Sequence, residues 1–418
     1  MSKPRPLIFV PLLMSMRFRI TVAVVLLSSF LLSASARAQT STEITEAAPD
    51  GLIHVMLTLE GQEIDFGYPP DLSVDDPSYR SLLAGTVGAE VQVGTLTGHR
   101  ALRLGSIVPT LESDPVSLEQ RERDGESAEE SPATTSIYDL WLNRRPDGWE
   151  LSARVDDPSE DAGDMSNASI YVIPLAYRAR ETNDAPAPQL SASLRPTAAE
   201  AGKLSLRWGS HVWSTDFRFD ELPPAPPRER VSGRGQERES DTDTTAFARG
   251  TTLAERNESL AIFSDGAEIR TLFWKSIDVE DEDYGRLADV ADGEIVQLIR
   301  SPVLRIKTDV DLRFDTTDIP TGNLAPGFAG AYGIWLRRVA SGWRFVFNDE
   351  ADSWGTQYNA EFDAAEFDVS YVRGDGAFRP LAIAVVPLGP ASGRLVVHWG
   401  PHEWTADFAV VRDGPGTP

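Results

Sequence analysis

The chain has 418 residues, a formal net charge of -25 at pH 7 and no cysteine. The lack of cysteine excludes disulfides, a thiol nucleophile, lipid attachment through a lipobox and cysteine metal ligands. The acidic charge repels phosphate backbones and anionic membrane surfaces, so nucleic acid is excluded as a partner.

Residues 1–38 have the pattern of a secretory signal peptide. They carry basic residues and no acidic ones, and the apolar run 20–32 is shorter than a membrane span. Ala36-Arg37-Ala38 forms an A-x-A cleavage site. Translation starts at Met1 or at Met16, and an uncleaved N-terminal anchor is the alternative to cleavage. We expect a periplasmic or secreted protein without stable membrane insertion after cleavage.

Two halves of the chain repeat the same series of motifs. Residues 206–217 recur as 397–408, residues 138–149 as 332–343, and residues 61–82 as 266–287. This repetition predicts two domains, 51–221 and 251–412. Residues 222–250 between them are rich in proline and charge, which is typical of a linker. Because such a linker offers few apolar side chains, residues 251–418 are expected to fold alone.

Most segments of both halves favour β-strands. Apolar and polar residues alternate in short runs bounded by turn-forming residues, and no stretch of a dozen residues has helical periodicity. Residues 203–208 and 211–219 predict a hairpin around a Gly209-Ser210 turn. The fold class predicted is all-β, with two tandem antiparallel β-sandwiches. The matched tryptophans share a face with leucines, which favours core packing over an exposed sugar platform.

The C-terminal repeat carries a series of glycine and aromatic motifs. They are Ala329-Gly-Ala-Tyr-Gly-Ile-Trp335, Gly342-Trp343, Trp354-Gly-Thr-Gln-Tyr358 and Val397-His-Trp-Gly400. This series resembles the exported bacterial family called domain of unknown function 2911, here as a diverged tandem duplication. The resemblance implies an extracytoplasmic, β-rich domain whose biochemical role is not established. The family's Trp-Arg-x-Gly segment is missing, and the N-terminal repeat lacks Trp-Gly-Thr-Gln-Tyr.

Six residues are candidate ligand contacts. Trp354 has no counterpart in the other repeat, so it is a better candidate for a surface contact than the matched tryptophans. Three polar or aromatic residues lie near it in the sequence, and two histidines occupy equivalent positions in the repeats. The full set is Trp354, Tyr358, Asp349, Asp352, His211 and His402. His211 and His402 are equivalent, and each precedes an aspartate by five residues. An odd separation puts the two side chains on opposite faces of a strand, so a packed histidine is favoured over a general base. No catalytic residue is predicted.

A cluster of carboxylates precedes the middle of the C-terminal repeat. Asp278, Glu280, Asp281 and Asp283 offer the oxygen ligands that Ca²⁺ prefers, but without EF-hand spacing. A solvated acidic loop is the simpler interpretation, so Ca²⁺ is the only cofactor considered. The five histidines lack the spacing of a zinc site.

These observations leave two functions open. The first is an exported non-catalytic binding or structural module of the periplasm or cell surface, with a protein or carbohydrate ligand. The alternative is a carboxylate-dependent hydrolase acting on an extracytoplasmic substrate. Convergence of Trp354, Asp349 and Asp352 with another carboxylate in one pocket favours the hydrolase, whereas a flat or filled surface favours binding.

Overall fold

A computed structural model gives the fold. It describes residues 50–84, 88–98, 102–105, 136–155, 170–179, 187–220, 256–275, 277–298, 304–321, 330–351 and 357–412. The predicted signal peptide (1–38) and linker (222–250) lie outside the described residues. All of the described residues belong to one compact unit.

The described residues form nineteen strands, two short α-helices and one 3-10 helix. The strands of the N-terminal half are β1 (Ile53–Leu59), β2 (Gln62–Tyr68), β3 (Glu90–Gly98), β4 (Leu102–Leu104), β5 (Ser136–Arg145), β6 (Gly148–Val155), β7 (Ile170–Ala179), β8 (Ala187–Ala198), β9 (Ala201–Gly209) and β10 (His211–Phe219). Those of the C-terminal half are β11 (Arg256–Ile262), β12 (Glu268–Trp274), β13 (Leu304–Thr308), β14 (Asp311–Phe314), β15 (Thr317–Ile319), β16 (Ala331–Val339), β17 (Gly342–Asn348), β18 (Asp363–Gly389) and β19 (Ser392–Val411). The helices are α1 (Pro77–Leu83), α2 (Glu282–Arg286) and the 3-10 helix Ala360–Phe362.

The strands pair antiparallel throughout the described residues. One long sheet has the order β7-β6-β5-β3-β2-β1-β11-β12-β13-β16-β17-β18. β8, β9 and β10 form a second layer in the N-terminal half, and β18, β19, β14 and β15 form one in the C-terminal half. β7 and β18 each pass from the long sheet into the second layer of their half. The predicted all-β fold is confirmed.

The two halves meet at the centre of the long sheet. β1 pairs with β11 over five residue pairs, from His54 and Ile262 to Thr58 and Glu258. The buried apolar side chains of both halves also belong to one continuous cluster. A division into two domains therefore stays a prediction. The described residues of the two halves share one sheet and one core, which the sequence did not predict.

The core is filled by aromatic rings from facing strands. Trp208, Trp213, Trp399 and Trp404 are fully buried, as the alternating pattern predicted. The predicted hairpin is confirmed, because β9 and β10 pair up to Trp208 and His211. Gly209 lies in the two-residue turn with φ of 61°, a value that favours glycine.

Both α-helices begin at an aspartate, and one of these, Asp281, belongs to the cluster that the sequence pattern assigned to an acidic loop. The Asp76 side chain accepts a hydrogen bond from Ser78 N at the start of α1, and Asp281 accepts one from Asp283 N at the start of α2. Satisfying a free backbone N–H is the usual role of aspartate at this position. None of the described helices is long and apolar enough to cross a membrane.

Candidate functional site

Each half carries the same group of rings where its crossing strand leaves the long sheet. We call Trp149, Tyr177, His211 and Trp213 the N-terminal aromatic site, and Trp343, Tyr371, His402 and Trp404 the C-terminal aromatic site. Tyr177 lies opposite Trp213 in the β7–β10 pairing, and Tyr371 lies opposite Trp404 in the β18–β19 pairing. The tryptophans of both sites belong to the buried core, whereas the tyrosines that pack on them are exposed.

The two aromatic sites have nearly the same geometry. A hydrogen bond of 2.7 Å joins Tyr177 Oη to His211 Nδ1, and one of 2.7 Å joins Tyr371 Oη to His402 Nδ1.

Ring contacts agree between the sites in the same way. The centroids of Tyr177 and His211 are 5.8 Å apart with planes inclined by 18°; the corresponding values for Tyr371 and His402 are 5.8 Å and 26°. The two tryptophans of each site are 5.1 Å and 5.4 Å apart. The two sites therefore have one arrangement of rings.

The tyrosines are the exposed members of these sites. Tyr177 is 41% exposed and Tyr371 is 37% exposed, whereas the tryptophans beneath them are buried. Burial lowers the pKa of His211 and of His402, and Arg373 lowers that of His402 further. Both imidazoles are therefore neutral at pH 7, and each has Nε2 as its second hydrogen-bonding atom.

The tyrosine partners were missed by the sequence analysis, which selected only His211 and His402. The repeat offset could have revealed them, because 194 residues separate Tyr177 from Tyr371 and also Trp149 from Trp343. The face assignment of the histidines agrees with the structure. Asp216 is exposed and pairs with Lys203 at 2.9 Å, away from the His211 face.

Tyr358 belongs to a different place, a cleft in the C-terminal half. The cleft has a volume of about 420 Å³ and is lined by Arg286, Asp289, Val290, Gly293, Glu294, Ile295, Gln297, Arg337 and Tyr358. The ring of Tyr358 packs edge-on against Trp335 at 5.1 Å. Its hydroxyl accepts from Arg337 Nη2 at 2.6 Å and donates to Asp363. Burial and the bond to Asp363 raise the pKa of Tyr358, so it stays a phenol at neutral pH.

Asp349, another candidate from this segment, is not among the residues that line the cleft. Asp349 is buried and its charge contributes to the raised pKa of Tyr332, which places it on the core side of the sheet. Asp352 and Trp354 lie outside the described residues. Asp349 therefore does not contribute to the convergence of side chains in one pocket that would favour a hydrolase.

The carboxylates considered for Ca²⁺ have other contacts. Asp281 caps α2, and Arg379 forms ion pairs with Asp278 at 3.4 Å and with Glu280 at 2.7 Å. Asp283 is buried, with Arg286 at 3.7 Å. Among the described residues no group of three or more His, Cys, Asp or Glu is arranged to hold a metal ion. Binding of Ca²⁺ at this segment stays a prediction.

Comparison with known proteins identifies a family for the C-terminal half. Residues 305–408 match the model of the family described as protein of unknown function (DUF2911). This region includes Arg337, Tyr358, Tyr371, His402 and the strands that hold them. No curated protein and no solved structure gave a significant match to the chain.

Proposed function

We propose that this chain, a member of the DUF2911 family through its C-terminal half, is an exported, non-catalytic binding module that holds carbohydrate on its two aromatic sites. One observation carries the proposal. Each half presents an exposed tyrosine hydrogen-bonded at 2.7 Å to a neutral histidine. The core requires the buried tryptophans beneath, but it does not require a polar pair at the rim.

The chemistry of these sites suits a neutral sugar. A flat ring backed by a tryptophan complements the apolar face of a pyranose, and phenol and imidazole groups hydrogen-bond to its hydroxyls. The net charge of -25 disfavours polyanionic ligands. Two equivalent sites on one chain also favour a polymer with repeated units, since the second contact is then intramolecular.

Export and duplication are part of the same proposal. The signal-peptide pattern of residues 1–38 supports transfer to the periplasm or beyond. The chain has no cysteine, so its folding there does not depend on disulfide formation. The matched ring geometry of the two halves supports an origin by tandem duplication. A structural role at the cell surface is compatible with a module that binds a polymer.

One observation keeps a carboxylate-dependent hydrolase as a second candidate. Asp289 and Glu294 both line the cleft beside Tyr358, and two carboxylates flanking a substrate are the usual requirement for glycoside hydrolysis. Glu294→Gln should then abolish hydrolysis of a susceptible glycan while leaving binding at the aromatic sites intact. Product formation that persists in this variant would remove the candidate.

The binding proposal is tested with a panel of soluble neutral glycans and three variants. Tyr177→Ala and Tyr371→Ala should each weaken binding of an oligosaccharide about tenfold at their own site, because one stacking contact contributes about 1–2 kcal/mol. The double variant should lose binding. Phe362→Ala, which removes another exposed aromatic ring, is the matched control and should bind normally. Full binding by the double variant, or no glycan bound by the wild type, contradicts the proposal.

A further inference from the structure

The cleft beside Tyr358 has a wall built from a strand-like segment. Gly293 N donates to Arg338 O at 2.8 Å, Arg338 N donates to Glu294 O at 2.9 Å, and Val296 N donates to Leu336 O at 2.8 Å. These bonds fix residues 293–296 along β16. Val296 then faces the core, while Ile295 and Gln297 face the cleft.

Arg337 forms the floor of the cleft and is held in one position. Its guanidinium contacts Tyr358 Oη at 2.6 Å, Asp363 at 3.4 Å and Glu366 at 3.4 Å. Two carboxylates, neither of which lines the cleft, therefore balance its charge. A side chain fixed in this way pre-organises a binding site, because little conformational entropy is lost when a ligand arrives.

Charges of both signs line the remaining walls. Asp289 and Glu294 are acidic, and Arg286 is basic, with a side chain that is 47% exposed. A ligand with a single charge would meet a like charge on one wall. A ligand that carries both an ammonium and a carboxylate can pair with both kinds of charge, because Arg286 keeps an exposed side chain beside its contact with Asp283 at 3.7 Å. Val290 and Ile295 add apolar surface between them.

We infer that this cleft binds a small zwitterion, either a free amino acid or a short peptide. Its ammonium lies against Asp289 and Glu294, and its carboxylate lies against Arg286. The cavity of about 420 Å³ has the size of a small-molecule site. This site is distinct from the aromatic sites and does not depend on carbohydrate binding.

The described residues give the C-terminal half a site that the N-terminal half does not repeat. The residue equivalent to Arg337 is Asn143, which is buried and hydrogen-bonded to Ser152. The ring equivalent to Trp335 is Trp141, which is covered by Arg154 at 4.4 Å rather than by a tyrosine. A single zwitterion per chain is therefore expected.

The experiment is a titration of the full chain with the proteinogenic amino acids and a set of dipeptides, followed by calorimetry and thermal unfolding. At least one zwitterion should bind with a stoichiometry of one and raise the melting temperature. Its N-acetylated form and its amide each lack one charge and should bind about tenfold more weakly or not at all. Arg286→Gln and Glu294→Gln should each reduce affinity by a similar factor, measured below the melting temperature of each variant because Arg286 also contacts the buried Asp283 at 3.7 Å.

Two control variants separate this site from the others. Tyr371→Ala should bind the zwitterion normally even if it loses a glycan. Arg313→Gln removes an arginine that pairs with Asp318 away from the cleft and should also bind normally. Absence of binding for every zwitterion, equal binding of the N-acetylated and amidated forms, or unchanged affinity in both cleft variants would overturn the inference.

Discussion

At the scale of single residues, His54 differs from the other described histidines in its protonation. Its Nδ1 lies 3.0 Å from Asp65 and its Nε2 lies 3.0 Å from Asp50. The hydrogen bond to Asp65 and the charges of both aspartates outweigh the effect of burial and raise the pKa of His54 to about 9. The ring is therefore a cation at neutral pH, whereas His211 and His402 are neutral.

His54 should make stability fall as the solution becomes alkaline. Its pKa is higher in the folded chain than in the unfolded chain, so its contribution is complete below about pH 6.5 and is lost as the pH rises through about 9. We expect the wild type to lose roughly 2–3 kcal/mol of unfolding free energy across this window relative to His54→Gln. Urea unfolding of both proteins at several pH values measures the difference. Parallel pH profiles would contradict a charged His54.

Only some of these residue contacts could be predicted from the sequence. The face of His211 followed from strand alternation, and Tyr177 could have been found from the repeat offset. The pairing of His54 with Asp65 depends on the register of β1 against β2, which alternation alone does not set. The network of Tyr358, Arg337 and Asp363 joins β16 to a second segment, residues 358–363, and only the fold brings the two together.

At the scale of elements, Asp76 and Asp281 each cap the start of a short helix. α2 has five residues, too few to show a helical period in the sequence. Asp281→Ala should therefore cost about 1 kcal/mol by removing the cap. Asp281→Asn should keep the stability, because asparagine caps equally well, and chemical unfolding distinguishes the two. Equal losses in both variants would point to a role of the negative charge, as a Ca²⁺ site requires.

Most strands were predictable because they have one buried face. The hairpin was predicted because its leucines and tryptophans alternate around a glycine turn; β10 has the predicted range, whereas β9 (Ala201–Gly209) extends beyond residues 203–208 at both ends. Their counterparts in the C-terminal half run on as the single long strand β19, and β18 likewise combines the equivalents of β7 and β8. Whether two strand segments form one long strand or are separated by a loop depends on the connection between them. The local alternation of apolar and polar residues does not specify that connection.

At the scale of the molecule, the pairing of β1 with β11 was not foreseen. Both segments have the alternating pattern of ordinary half-buried strands. That pattern does not indicate which strand of the other half each of them pairs with. Further contacts join the halves away from this pair. Arg195 forms an ion pair with Glu403 at 2.5 Å and lies over the ring of Phe378 at 3.6 Å. Lys275 reaches Glu60 at 3.0 Å.

These contacts change what is expected of the separated C-terminal half. Residues 251–418 alone would expose the β11 edge and the apolar side chains that meet the other half, and such an edge pairs readily with another chain. We expect this fragment to aggregate, to dimerise, or to unfold about 10 °C below the full chain. A protease site placed in residues 222–250 of the intact protein provides the control, because the cleaved halves should elute together in size-exclusion chromatography. Halves that separate after cleavage and each unfold cooperatively at the original temperature would show instead that the linker alone joins two independent domains.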